Sequence, residues 1–107
     1  MYDMTDHELE RLSREDPTAL LDLIESGTLE PTLLTFAAEY AGISSDSTHV
    51  TRVLLPLLDH EKPYVREGAL YGLARHRTAD ALNGLARIAS TDAVSEVREI
   101  AAEALSS

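Results

Sequence analysis

Apolar residues recur at intervals of three and four along most of the chain, which is the rhythm of helices that bury one face. The pattern falls into seven segments, separated by six short polar stretches, of which four contain proline or glycine. Leu20, Leu21 and Ile24, for example, make the apolar face of the second segment. We therefore predict an all-α fold with seven helices and no strands.

Capping residues, prolines and glycines set the expected limits of these helices. Thr5 and Glu8 have the spacing of a capping box at the start of helix 1, which runs to about Arg14. The other six helices are expected at Asp16-Pro17 to Gly27, Pro31 to Gly42, from the 44–47 loop to Leu58, Pro63 to Leu73, Thr78 to Ala89, and Val97 to Leu105. Pro56 lies inside the fourth helix and should kink it or mark a close approach.

A 32-residue period runs through the sequence. Glu30-Pro31 recurs as Lys62-Pro63, and Val65-Arg66-Glu67 recurs as Val97-Arg98-Glu99. Three further columns of the same period are Leu33, Val65 and Val97; Ala37, Ala69 and Ala101; and Ala41, Leu73 and Leu105. Such a period indicates stacked copies of one supersecondary unit, which usually present a binding surface.

The period divides the chain into one domain, residues 1–107, built from three helical hairpins. We expect the hairpins at residues 16–43, 48–76 and 78–106, and a capping helix at residues 1–15 that covers the first hairpin. Gly68 and Gly72 are four residues apart in helix 5 and should allow two helices to pack closely. The apolar end at helix 7 is covered by a partner, forms a self-association face, or is kept soluble by Glu103, Ser106 and Ser107.

Units two and three share a local motif. Leu57 to Leu73 and Ala89 to Leu105 each carry an Asp in the inter-helix turn, then Val-Arg, then Ala and Leu on the second helix. In this they resemble HEAT repeats, of the kind also found in phycobilisome lyases. The resemblance is strong from Val50 to Leu105, weaker in helices 2 and 3, where Leu33-Leu34 replaces Val-Arg, and absent in helix 1.

The resemblance implies an α-α solenoid whose second helices line the inner, concave wall. It also implies that a turn Asp and a helix Arg link neighbouring repeats in a structural ladder, a role that falls here to Asp59, Arg66, Asp92 and Arg98. Members of the family serve as scaffolds, inhibitors and adaptors, and occasionally as lyases or DNA-repair enzymes.

Each second helix carries a polar stripe opposite its apolar face. The stripes are Thr32, Thr35 and Glu39; Tyr64, Glu67 and Tyr71; and Glu96, Glu99 and Glu103. Steps of three and four keep each triplet on one side of its helix. Stacking would place two tyrosines among carboxylates, which is typical of a protein-binding site. The alternative interpretation is a set of solvated helix faces that bind nothing.

The chain is strongly acidic. Its 19 acidic and 9 basic residues give a formal charge of −10, and Lys62 is the one lysine. Such a surface repels nucleic-acid phosphates and attracts a basic protein. The alternative interpretation is that the charge serves only to keep the protein soluble.

Several kinds of chemistry are disfavoured by what the sequence contains. There is no cysteine, and no apolar run reaches the roughly 18 residues of a membrane span. The polar, acidic start is unlike a targeting peptide, so we expect a cytoplasmic protein. No pair among His7, His49, His60 and His76 has the one-turn spacing of a helical metal site. The stripe of Glu96, Glu99 and Glu103 lies on one rigid helix and should not wrap a cation, so we expect no metal and no cofactor.

These observations favour a non-catalytic protein–protein interaction module. A small acidic inhibitor or immunity-type protein that binds a basic partner fits them best. The alternative is a scaffold or adaptor subunit that self-associates through helix 7. A third interpretation, a HEAT-type lyase or DNA-repair enzyme, follows only from the resemblance.

Overall fold

The computed structural model describes residues 5–106, which form seven α-helices, one 3-10 helix and no strand. The α-helices are α1 (Asp6–Glu15), α2 (Pro17–Glu25), α3 (Pro31–Ala41), α4 (Ser47–Leu54), α5 (Pro63–Ala74), α6 (Ala79–Thr91) and α7 (Ser95–Ser106). The prediction of an all-α fold with seven helices is confirmed for this range. The first four residues of the predicted capping helix, and Ser107, lie outside the described residues.

Side-chain caps explain where most helices begin. The side chains of Thr5, Asp16, Glu30, Asp46 and Thr78 each accept a hydrogen bond from the backbone N–H three residues later. These bonds satisfy amides of the first turn that have no partner inside the helix.

The structure differs from the sequence prediction in the fourth helix. Instead of running to Leu58 as one α-helix, the chain changes at Leu55 into a 3-10 helix, Leu55–Asp59. Pro56 lies in the first turn of this segment. Because proline has no N–H and its ring clashes with the preceding turn, it cannot continue the α-helix, and the tighter 3-10 turn takes over.

The helices form two layers around one aliphatic core. α3, α5 and α7 lie side by side, and α1 packs against α3 and α2. The other layer contains α2, α4 with its 3-10 extension, and α6. The largest fully buried side chains are Leu9, Leu20, Leu21, Val50, Leu54, Leu58, Val65, Leu70, Leu73, Leu85 and Val97. The result is an elongated, solenoid-like stack of 41 × 25 × 19 Å. None of the described helices combines the length and apolar content needed to cross a lipid bilayer.

Units one and two meet where α5 lies directly on the backbone of α3. A Cβ atom at Gly68 would lie 2.6 Å from the carbonyl oxygen of Thr35, and one at Gly72 would lie 2.5 Å from that of Ala38. Real Cβ atoms do not approach backbone oxygens so closely. The prediction that these two glycines allow close helix packing is confirmed.

Units two and three are joined by a bidentate ion pair. Arg66 on α5 donates from Nε to Oδ2 of Asp92 at 2.8 Å and from Nη2 to Oδ1 at 2.9 Å. Both side chains are largely buried. Burial alone would raise the pKa of Asp92, but the hydrogen bonds from Arg66 and Val94 and the charges of Arg66 and Arg98 hold it below its ordinary value.

Asp59, which the resemblance assigned to the same ladder, also links units two and three, but by a separate ion pair. It is exposed and pairs with Arg87 on α6 at 3.0 Å. The position 32 residues before Asp92 is His60, and its Nδ1 accepts from the N–H of Lys62 as Asp92 Oδ1 accepts from Val94. Arg66 also donates to the His60 carbonyl, as Arg98 does to the Asp92 carbonyl. The residue equivalent to Asp92 in unit two is therefore His60.

The two ion pairs between units two and three should differ greatly in their effect on stability. Asp92→Ala should lower the free energy of unfolding by about 3–5 kcal/mol, because it leaves Arg66 buried without its carboxylate. Asp59→Ala removes an exposed pair between the same units and should cost less than about 1 kcal/mol. Urea unfolding of both variants measures the difference, and equal losses would contradict it.

Since the pKa of Asp92 is lowered on folding, the contribution of Asp92 to stability is present above the ordinary pKa of aspartate and is lost as the pH falls through the folded value.

Gly68→Ala should destabilise the protein although alanine favours helices by about 1 kcal/mol relative to glycine. The new methyl group would press on the Thr35 carbonyl, and overpacking of this kind costs about 1–3 kcal/mol or more. Gly84→Ala is the matched control, since its methyl group would meet only the side-chain ends of Leu55 and Leu58. Thermal unfolding should give a clearly lower midpoint for Gly68→Ala than for Gly84→Ala; the reverse order would show that α3 and α5 can separate without cost.

Candidate functional site

The predicted polar stripes occupy three neighbouring helices of one layer. Because the stripes repeat at 32 residues, their members fall into three rows: Thr32, Tyr64 and Glu96; Thr35, Glu67 and Glu99; Glu39, Tyr71 and Glu103. All nine side chains are exposed or half-buried. We call this set the second-helix face.

One end of the groove between α3 and α5 forms a small hollow. It is lined by Thr32, Thr35 and Phe36 of α3 and by Tyr64 of α5. Tyr64 is 40% exposed, and the hydroxyl of Thr35 donates to the carbonyl of Pro31 at 3.0 Å. The hollow therefore presents aromatic surface. The Thr35 hydroxyl is already hydrogen-bonded to its own helix.

A second hollow lies further along the same groove. It is lined by Glu39 of α3, by Tyr71 of α5 and by Arg75, which directly follows α5. Tyr71 is 48% exposed, so a large part of its ring is available for contact. The structure thus brings predicted residues from two stripes together at both hollows.

The third stripe is placed differently. Glu96, Glu99 and Glu103 are exposed on α7, which packs beside α5, and they line neither of the two hollows. They extend the negative surface away from the groove.

The carboxyl group of Glu39 is partly buried and is repelled by the negative charge of Glu67. Partial burial raises the pKa of its carboxyl group, and the negative charge of Glu67 raises it further. Among residues 5–106, no ion pair involves Glu39, Glu67 or Glu99. The groove therefore holds carboxylates that form no ion pair with any described residue, although Arg75 lines the same hollow as Glu39.

Arg75 and Phe36 belong to the hollows but were absent from the predicted site. Arg75 follows Tyr71 by four residues, so it continues the stripe of α5 by one turn. That spacing was available in the sequence. Phe36 is an apolar residue within α3, and nothing in the sequence pattern shows that its ring also reaches the surface.

The four histidines lie in different places. His7 is exposed on α1, and His60 holds the turn before α5. His76 links two inter-unit loops, since its Nδ1 lies 2.6 Å from the Ser47 hydroxyl and its Nε2 lies 3.0 Å from the carbonyl oxygen of Gly42. His49 is on α4, away from the second-helix face.

Glu39→Gln should raise the stability of the folded protein at pH 7, because it removes a partly buried charge beside Glu67. The gain should be small, on the order of a few tenths of a kcal/mol, since solvent screens a half-exposed pair. The pKa of Glu39 is raised on folding, so wild type loses stability as the pH rises from the ordinary value of 4.5 through the folded value. The advantage of the variant should therefore disappear near pH 4, as measured by urea unfolding against an exposed control, Glu61→Gln. An equal advantage at both pH values would contradict this explanation.

A family model described as HEAT repeats matches residues 17–106, from the start of α2 to the end of α7. The match excludes α1, as the weakening of the motif towards the start of the chain predicted. Comparisons with curated proteins and with solved structures give no significant match. HEAT repeats generally mediate protein–protein interaction. With a match over most of its length and a stacked, all-helical fold, the chain belongs to the HEAT repeat family.

Proposed function

We propose that this protein is a non-catalytic interaction module that binds a basic protein through its second-helix face. The observation that carries the proposal is the α3–α5 groove, in which two exposed tyrosines flank carboxylates that form no ion pair with the protein's own cations in the described range. Glu39 is partly buried beside the like charge of Glu67, and a cation from a partner would compensate both.

The spacing along α5 supports recognition of Lys or Arg side chains. Tyr64 and Tyr71 are seven residues apart, or about 10 Å along the helix, and Glu67 lies between them. A cation that reaches Glu67 would therefore pass within range of a tyrosine ring, so that ion pairing and cation–π attraction act together. Tyrosine also contributes large contact area at low entropic cost.

The net charge supports the same kind of partner. A formal charge of −10 attracts a basic protein over a distance and increases the rate of encounter. Glu96, Glu99 and Glu103 widen the negative area beside the groove. The same charge opposes direct contact with nucleic acid.

A small acidic domain with such a groove suits a dedicated inhibitor or immunity-type protein, which would cover a basic site on its target in the cytoplasm. Glu67, Glu99 and Glu103 would pair with the target's Lys or Arg, and Tyr64 and Tyr71 would supply buried area.

A self-associating scaffold or adaptor is the second candidate. It is favoured by α7, where Ile100, Ala104 and Leu105 remain only half-buried at the end of the stack. Sedimentation between low and high concentration distinguishes it, because the scaffold should change its mass and the inhibitor should stay a monomer.

The variant Glu67→Lys/Glu99→Lys tests the basic-partner proposal. Immobilised wild type should retain a basic protein from native lysate at low salt and release it at moderate salt, since screening weakens ion pairs. The variant should bind the same protein at least about 10-fold more weakly, because two attractions become repulsions.

The matched control, Glu15→Lys/Glu61→Lys, has the same net charge but lies off the second-helix face. It should keep most of the affinity. Equal weakening by the two variants would show that the loss of affinity comes from overall charge. Unchanged affinity in both would show that the second-helix face does not bind the partner.

A further inference from the structure

Three potential metal ligands meet on the other layer of the molecule. Asp22 and Glu25 are three residues apart on α2, so both carboxylates project from one side of that helix. His49 approaches them from α4. One ligand atom from each of the three residues lies within 4.8 Å of the other two.

The imidazole of His49 supplies a second, independent observation. Its Nε2 atom is buried and has no hydrogen-bond partner among the described residues. Buried polar atoms nearly always have a partner, and one without it calls for an explanation. His60 and His76, by contrast, use ring nitrogens in hydrogen bonds to the protein. His49 is therefore a histidine with an unpaired buried nitrogen, and one of its two ring nitrogens lies within 4.8 Å of a carboxylate oxygen of Asp22 and of Glu25.

We propose that Asp22, Glu25 and His49 form a binding site for a divalent transition-metal ion of the zinc class. One imidazole and two carboxylates are ligands that suit Zn²⁺, whereas Mg²⁺ and Ca²⁺ prefer oxygen ligands alone. Zinc–ligand bonds of about 2.0–2.2 Å require the three atoms to move closer together. Asp22 and Glu25 are exposed, so their side chains can make this adjustment without disturbing the core.

The position of the site gives it a structural role. Asp22 and Glu25 belong to unit one and His49 to unit two, so a bound ion would cross-link the two units. Units two and three have the Arg66–Asp92 pair, but Leu34 occupies the position 32 residues before Arg66. The joint between units one and two therefore lacks that ion pair, and the metal would tie it at the opposite layer. The site is independent of the second-helix face.

Zinc titration of the whole protein tests this proposal. Calorimetry with Zn²⁺ should show one site, and the thermal midpoint should rise with zinc because the ion binds the folded state preferentially. Co²⁺ bound at the same site should give a visible absorption band, as expected for a metal ion with a nitrogen ligand. His49→Gln should weaken zinc binding at least about 10-fold, and His7→Gln, which changes an exposed histidine on α1, should not.

The double variant Asp22→Asn/Glu25→Gln is a second test that does not depend on the folding of His49→Gln, because the side chains of Asp22 and Glu25 are exposed. It should unfold at the wild-type midpoint without zinc and lose the zinc-dependent rise. Absence of zinc binding in the wild type would overturn the proposal. So would equal affinity in the wild type and the double variant, which would place the ion elsewhere.

Discussion

The close approach of α3 and α5 is the constraint on which the candidate site depends. Because Gly68 and Gly72 have no side chains, α5 can lie directly against the carbonyl oxygens of Thr35 and Ala38. Any larger residue would push the helices apart and open the groove between their polar stripes. Contact at this distance places Glu39 near Glu67 and lets residues of both helices line each hollow. The same glycines thus determine both the packing of units one and two and the shape of the surface above it.

The two joints of the stack use different physical means. Units two and three are held by a buried, bidentate pair between Arg66 and Asp92. Units one and two rely on backbone contact and on His76, which connects the Ser47 hydroxyl and the Gly42 carbonyl. A charged pair fixes orientation through its hydrogen-bond geometry, whereas backbone contact fixes distance. The groove lies between units one and two, where backbone contact sets the distance between α3 and α5.

Local pattern was sufficient to predict the helices, the capping residues and the repeat, because these depend on neighbours within a few positions or on a fixed period. It did not identify the residue of unit two that is equivalent to Asp92: the turn Asp of the resembling motif is Asp59, while the 32-residue period places His60 at that position. The conversion of the fourth helix at Pro56 was expected only as a kink. Contacts across helices, such as those of Asp22 and Glu25 with His49, depend on how units are rotated against each other, which the sequence pattern does not specify.

The compensation of charge distinguishes Asp92, a structural carboxylate, from Glu39 on the second-helix face. Asp92 has its charge compensated by Arg66, and folding lowers its pKa. Glu39 is partly buried beside a like charge, and folding raises its pKa. The first arrangement stabilises the fold, while the second lowers its stability at neutral pH. A cation from a partner would remove the repulsion that the fold leaves in place, so part of the binding free energy would come from relief of this cost. If the protein binds a basic partner as proposed, the groove would be less stable alone than with that partner bound.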